Sequence, residues 1–339
     1  MSSSDAKINL TLAFVLNNAT VDDHGNAMQY PAPSAVQENI VKRVKQSTYA
    51  KDFALVWGPS TFLDPGTTSG DTKGYSANVT AIFKGPKGDY RVVTSGTNPK
   101  SDFDISEEDN DIAQTALSAL ISSAPWGTSI SKGAMAGAQN ILQGSTPMGG
   151  SLLGYLTNHA SNGGTITVVG HSLGGALASV LALYLKAELS SATVNCFTFA
   201  APTAGNEQFA DYFDTTMTGL STRFFNSKDI VPDSWSASTI KNILTIYKPD
   251  IDTPKKIQDD INKNLGALKF LNFKQPSEGQ QQLTGAVNTG LIKNDDSDFD
   301  RQVGYQHVDA YLTLLGMADG DVWLPPVASE VEGEDLVLG

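Results

Sequence analysis

The sequence predicts an α/β protein with a mostly parallel central sheet flanked by helices, and three observations carry that prediction. Thr165 to Val169 (TITVV) is a short continuous apolar run, the pattern of a strand buried on both faces of a parallel sheet. A second run, Val194 to Ala200, follows within a few residues of a helix reading that extends to about Glu188. A strand, a helix and a strand within ~35 residues make a βαβ unit, whose crossover is right-handed and whose strands are parallel.

The remaining elements follow in chain order. Ser34 opens a helical signal, with Gln37 completing a capping box and Val36, Ile40, Val41 and Val44 at helical spacing. Asn78 to Phe83 and Tyr90 to Thr94 read as strands joined through GPKGD as a hairpin, and Ser95-Gly96-Thr97 ends the second. An acid-rich stretch, Asp102 to Asp111, precedes Leu117, Leu120 and Ile121 at helical spacing. A helix from about Gly133 to Leu142 ends at the turn-rich GSTPMGGS. Thr222 to Asn226 is a third strand of the βαβ series, and a short helix runs from about His307 to Leu315. Between them, residues 249–300 are long and polar, with only Leu265 to Phe273 core-like, which reads as an excursion decorating the domain.

Composition narrows the function classes. The 339 residues are 40% apolar and 17% charged, enough apolar material for a sizeable core. Lys+Arg 23 against Asp+Glu 36 leaves a net charge of −13, which repels nucleic acid and anionic headgroups and points to neutral or small partners. The single cysteine, Cys196, permits no intrachain disulfide and no cysteine-based zinc cluster, and reads as a buried inert thiol. No apolar run approaches the ~18 residues of a membrane span. Asn9 to Leu16 (NLTLAFVL) is apolar enough for an export signal, but Asp5 opposes Lys7 before it and Asn17-Asn18-Ala19 is a poor cleavage site. A cytoplasmic and a non-classically exported protein both stay open. The last residues, 326–339, read as an acidic frayed tail.

The chemistry centres on Gly170-His171-Ser172-Leu173-Gly174, a G-x-S-x-G between a strand and a helix. In that setting Ser172 stands on a strained strand-to-helix turn, and a Cβ at Gly170 or Gly174 would collide with neighbouring backbone. The helix N-terminus turns free N–H groups toward the reacting centre, where an oxyanion would form. A serine hydroxyl needs a histidine base and an acid that orients it. In an α/β-hydrolase the order is serine, acid, histidine. Of the four histidines, His24, His159 and His171 do not follow Ser172, so His307 is the candidate base. His171 reads as packing beside the elbow. For the acid, Asp229, just after a strand, competes with Asp233 and Asp309. Because Ser172 and His307 are 307 − 172 = 135 residues apart, one sheet must gather them, so residues 1–325 read as a single α/β-hydrolase domain.

At these residues the sequence resembles the class 3 lipases. TVVGHSLGGALASVLALYL and CFTFAAPTAGNEQFADYF are similar to that family's elbow and the strand, loop and helix after it. RFFNSKDIVP resembles the segment with the catalytic aspartate, which selects Asp229, and QHVDAYL the segment with the histidine, which matches His307. The family's arginine-glycine-serine/threonine oxyanion turn matches Ser95-Gly96-Thr97, with Ser95 in place of the arginine. The resemblance thus implies Thr97 and the N–H of Leu173 as oxyanion donors. It also implies a lid over Asp104 to Trp126, although a core helix would show the same Leu117, Leu120, Ile121 and Trp126 stripe. The function expected is a serine carboxylester hydrolase, a lipase or esterase without cofactor acting on neutral acyl esters. A phospholipase A1, a feruloyl-type esterase and a catalytically silent lipase-like binding protein are the alternatives.

Overall fold

The computed structural model describes residues 3–66, 72–101, 103–144 and 146–325, so the acidic stretch 326–339 lies outside the described residues. The chain opens with helices α1 (Ser3–Asn17) and α2 (Pro33–Gln46), followed by strands β1 (Ala54–Leu63), β2 (Ser76–Lys84) and β3 (Tyr90–Thr94). A π-helical turn, Phe103–Asp109, leads to the small hairpin β4 (Gln114–Ala116) and β5 (Ser129–Ser131), then α3 (Lys132–Gln143) and α4 (Leu152–His159). The βαβ unit is β6 (Thr165–His171), α5 (Leu173–Glu188) and β7 (Thr193–Phe199), continued by α6 (Glu207–Thr216) and β8 (Ser221–Asn226). The chain finishes with α7 (Lys255–Leu271), β9 (Gln280–Leu283), α8 (Asp298–His307) and α9 (Asp309–Leu314).

Among the described residues the central sheet has seven strands in the order β1-β2-β3-β6-β7-β8-β9. The first two pairings are antiparallel and the four from β3 to β9 are parallel. Its middle strands are covered on both faces, which is why β6 is buried from Ile166 to His171 without alternation. On one face α3, α4, α5 and α6 pack a core around Leu177, Leu181 and Val168. On the other, α1 and α2 supply Leu10, Phe14, Val36 and Ile40 against Phe83, Val93 and Phe197. A satellite cluster of Ile230, Ile240, Tyr247, Ile261 and Phe299 holds the segment between β8 and α8.

Several elements depart from the sequence reading for identifiable reasons. The apolar run Asn9 to Leu16 is a core helix, buried from Asn9 through Leu16 between the sheet and α2. The Ser34–Gln37 capping box is not made, because Pro33 occupies the first turn and the chain enters from Ala32 without a side-chain cap. Leu117 opens a short 3-10 turn, Leu117–Ala119, in place of a helix through Ile121; Leu117 and Ile121 are buried in the main core, and Trp126 points to solvent. The polar stretch after Pro249 is more than decoration, since β9 pairs with β8 as an edge strand. Within Leu265 to Phe273 only Leu268 and Phe273 are buried, and Phe270 is exposed. Cys196 is buried in β7, where burial pushes its thiol up to about 12, so it stays protonated and unreactive.

Candidate active site

Ser172 joins β6 to α5 with φ 58° and ψ −133°, a left-handed conformation that costs of order 1–3 kcal/mol for a residue with a Cβ. The turn is held by its N–H donating to the Phe199 carbonyl at 3.0 Å, while its own carbonyl accepts from Gly175 and Ala176. The flanking glycines are there for space. A Cβ on Gly170 would lie 1.9 Å from the Gly174 carbonyl oxygen, and one on Gly174 would lie 2.5 Å from that of Ser95. The serine is thereby lifted to the carboxyl end of the sheet, above the first N–H groups of α5, which helix geometry leaves free.

Three residues far apart in sequence meet there. His307 Nε2 lies 2.8 Å from Ser172 Oγ, and His307 Nδ1 lies 3.1 and 3.0 Å from the two carboxylate oxygens of Asp229. All three are buried. Asp229 sits in the turn after β8, where its Oδ1 also accepts the Val231 N–H and its Oδ2 accepts the Tyr311 hydroxyl at 2.9 Å. Burial and the adjacent Asp229 carboxylate hold the Tyr311 phenol well above its ordinary range, so it remains a donor. Asn226 fixes the spacing of these elements, its Nδ2 donating to the Gln306 carbonyl at 3.0 Å and side chain at 2.8 Å. His307 ends α8, contrary to the expectation that it begins a helix. Val308 (φ −121°, ψ −74°) breaks the chain direction so that Tyr311 of α9 returns to Asp229.

The rival acids lie elsewhere. Asp233 ends a 3-10 turn, where burial pushes its carboxyl up to about 6, and Asp309 begins α9. Thr97 directs its hydroxyl to Asp109 Oδ2 at 2.8 Å. Desolvation pushes Asp109 up to about 7, against the Thr97 hydrogen bond and the nearby His307, which both lower it. Where the family pattern has arginine, Ser95 anchors the turn to β2 by accepting the Val79 N–H at 2.9 Å, and Asn98 donates to the Ser76 carbonyl at 2.8 Å. In the segment Asp104 to Trp126, Glu108 is buried, accepts from Asn78 at 2.9 Å and Asn140 at 3.4 Å, and rests on the glycine face of α3, while Trp126 is exposed.

Sequence reasoning missed Asp109, Tyr311, Asn17 and Glu108. Tyr311 stood in QHVDAYL, four residues after His307, and could have been weighed as a buried partner; the others carry no local signal.

Comparison with known proteins bears on the family and the fold. Residues 84–238 match the family described as lipase (class 3). That segment is similar to the class 3 lipases. This lipase-like chain is similar to the crystal structure of M37 lipase at 25% identity, with 95% of this chain and 96% of that one covered and a TM-score of 0.76. Lip2 lipase from Yarrowia lipolytica aligns at 16% identity over 85% of this chain and 81% of that one, TM-score 0.51. A Rhizomucor miehei lipase propeptide complex aligns at 16% identity over 94% and 81%, TM-score 0.51. The last two likenesses bear on the fold alone, which is the α/β-hydrolase fold. Together the findings support a lipase-type hydrolase, and among the described residues no helix is long and apolar enough to cross a membrane.

Proposed function

We propose that the protein is a serine carboxylester hydrolase that cleaves neutral acyl esters, acylglycerols among them, through an acyl-enzyme. The observation that carries the proposal is the continuous hydrogen-bonded line Ser172 Oγ, His307 imidazole, Asp229 carboxylate. Ser172 Oγ attacks the ester carbonyl carbon while His307 Nε2 takes its proton. Asp229 keeps Nδ1 protonated and stabilises the imidazolium that forms. The oxyanion rests on the main-chain N–H groups of Leu173 and Thr97, the Thr97 hydroxyl being directed to Asp109. His307 then returns the proton to the leaving alkoxide oxygen, and a water activated by His307 releases the acid from Ser172.

The net charge of −13 favours uncharged esters over anionic phospholipid. Ser172→Ala or His307→Ala should abolish hydrolysis of p-nitrophenyl esters in a folded protein, and a fluorophosphonate should label Ser172 in the native one. Unchanged turnover in either variant refutes the assignment. A series of p-nitrophenyl chain lengths with triglyceride and phospholipid controls assigns the substrate class.

A further inference from the structure

A second line of hydrogen bonds passes behind the reacting groups. Asn17, the last residue of α1, accepts the Gly96 N–H on Oδ1 at 2.7 Å. Its Nδ2 lies 3.2 Å from His171 Nδ1, and His171 Nε2 lies 2.8 Å from the main-chain carbonyl oxygen of His307. The polarity of the whole line is fixed at its first link. A backbone N–H can only donate, so the amide oxygen of Asn17 faces Gly96 and its NH2 faces His171. Nδ1 of His171 therefore accepts, and the ring proton sits on Nε2, where the His307 carbonyl takes it.

That carbonyl is free to accept because His307 ends α8, where helix geometry leaves carbonyls without helical partners. Gly96 closes the other end of the line: a Cβ there would lie 2.8 Å from the His171 carbonyl oxygen and 3.3 Å from the Ser172 Cβ. The oxyanion turn and the nucleophile thus lie too close for a side chain between them, and drift between them is felt at the reacting centre.

We propose that Asn17 and His171 are a positioning pair that locks the Gly96–Thr97 turn to the main chain of the catalytic histidine, with His171 held as its Nε2–H form by an amide partner. The proposal rests on the hydrolase reading above. The amide matters because the two imidazoles are close, with ring centroids 4.7 Å apart. The other groups facing His171 are the ring of Phe14 at 4.9 Å and that of Tyr311 at 5.9 Å, with Asp229 beyond them on Tyr311 and His307. Burial and His307 hold His171 well below the usual histidine range. His171 stays uncharged while His307 carries the proton through each transition state. A carboxylate in place of the amide would draw a second proton onto His171 and set two positive rings side by side.

The test is Asn17→Asp, which matches the shape of the side chain and keeps an oxygen for Gly96. The expected result is a kcat lower by ~10- to 100-fold with KM little changed, since sub-ångström displacement of the reacting groups costs on this scale. The acid limb of kcat/KM, which reports the free-enzyme base, should move to lower pH as the charged His171 opposes protonation of His307. A folded Asn17→Asp protein with kcat within about twofold of the native value and a superimposable pH profile overturns the proposal.

A measurement on the unmodified protein keeps the test independent of folding and of turnover. In protein labelled with 15N-histidine, the shifts of His171 should show Nε2 protonated and Nδ1 bare from about pH 5 to about pH 8. A protonated Nδ1 in that range overturns the pair. If the native protein neither labels with fluorophosphonate nor hydrolyses esters, the hydrolase reading falls, and the 15N result still decides the hydrogen-bond line.

Discussion

Replacing Glu108 by glutamine should flatten the dependence of stability on pH. Glu108 is a buried residue of the π-helical turn, and a Cβ on Gly137 would lie 2.8 Å from its carboxyl group. Burial pushes its carboxyl from the ordinary 4.5 up to about 8, opposed by hydrogen bonds from Asn78 and Asn140. The folded protein therefore keeps this proton at neutral pH, whereas the unfolded chain releases it above 4.5. The unfolded state then binds fewer protons, so stability is full below about 4.5 and falls as pH rises toward 8. One proton corresponds to ~1.4 kcal/mol per pH unit, so between pH 6 and pH 8 the loss is ~2–3 kcal/mol. Asp109, whose charge also raises Glu108, adds its own downward slope up to about 7, so the variant reads the two neighbouring carboxyls together; buried His171 has an opposite slope at lower pH that is the same in either protein. Glutamine cannot ionise, and its amide can accept from Asn78 while donating to a turned Asn140. Urea unfolding of native and Glu108→Gln protein across this range reads the difference directly. It should move in favour of the variant by ~2–3 kcal/mol from pH 6 to pH 8, and parallel curves would refute an uncharged Glu108.

The site itself yields three further expectations. Thr97→Val keeps the main-chain N–H but leaves the buried Asp109 carboxyl without its hydroxyl donor, and should cost ~1–3 kcal/mol of unfolding free energy, while Thr97→Ser stays close to native; equal stabilities in the two would remove the hydroxyl from the argument. Tyr311→Phe strips Asp229 Oδ2 and the Asn226 N–H of a partner and should cost ~1–3 kcal/mol of unfolding free energy together with ~10-fold in kcat. Gly170→Ala sets a methyl 1.9 Å from a main-chain oxygen, so circular dichroism and solubility should report a protein that does not reach the native fold.

What was legible in the sequence was legible for local reasons. The elbow could be read because each requirement lies within a few residues: a buried strand, two glycines whose Cβ would strike backbone, and a helix of small residues. β1 escaped because Gly58-Pro59 interrupts its pattern and its pairing with β2 shifts register on either side. Leu117, Leu120 and Ile121 have helical spacing, yet the pairing of β4 with β5 closes that segment into a hairpin and leaves room only for a 3-10 turn. Asn17 was invisible for a different reason, since its partners lie 79 and 154 residues away. An asparagine ending a helix carries no local mark of what it will meet.

The placement of α1 also has a temporal side. This helix is apolar from Leu10 to Leu16 apart from Thr11 and packs on β2, β3 and β6, the last of which begins at Thr165. During synthesis at ~5–20 residues per second it waits roughly seven to thirty seconds for β6 to be made. Until then Leu10, Leu12, Phe14 and Leu16 have only β2 and β3 to cover them. Because His307 follows Ser172 by 135 residues, the groups of the candidate site meet only once α8 has been made.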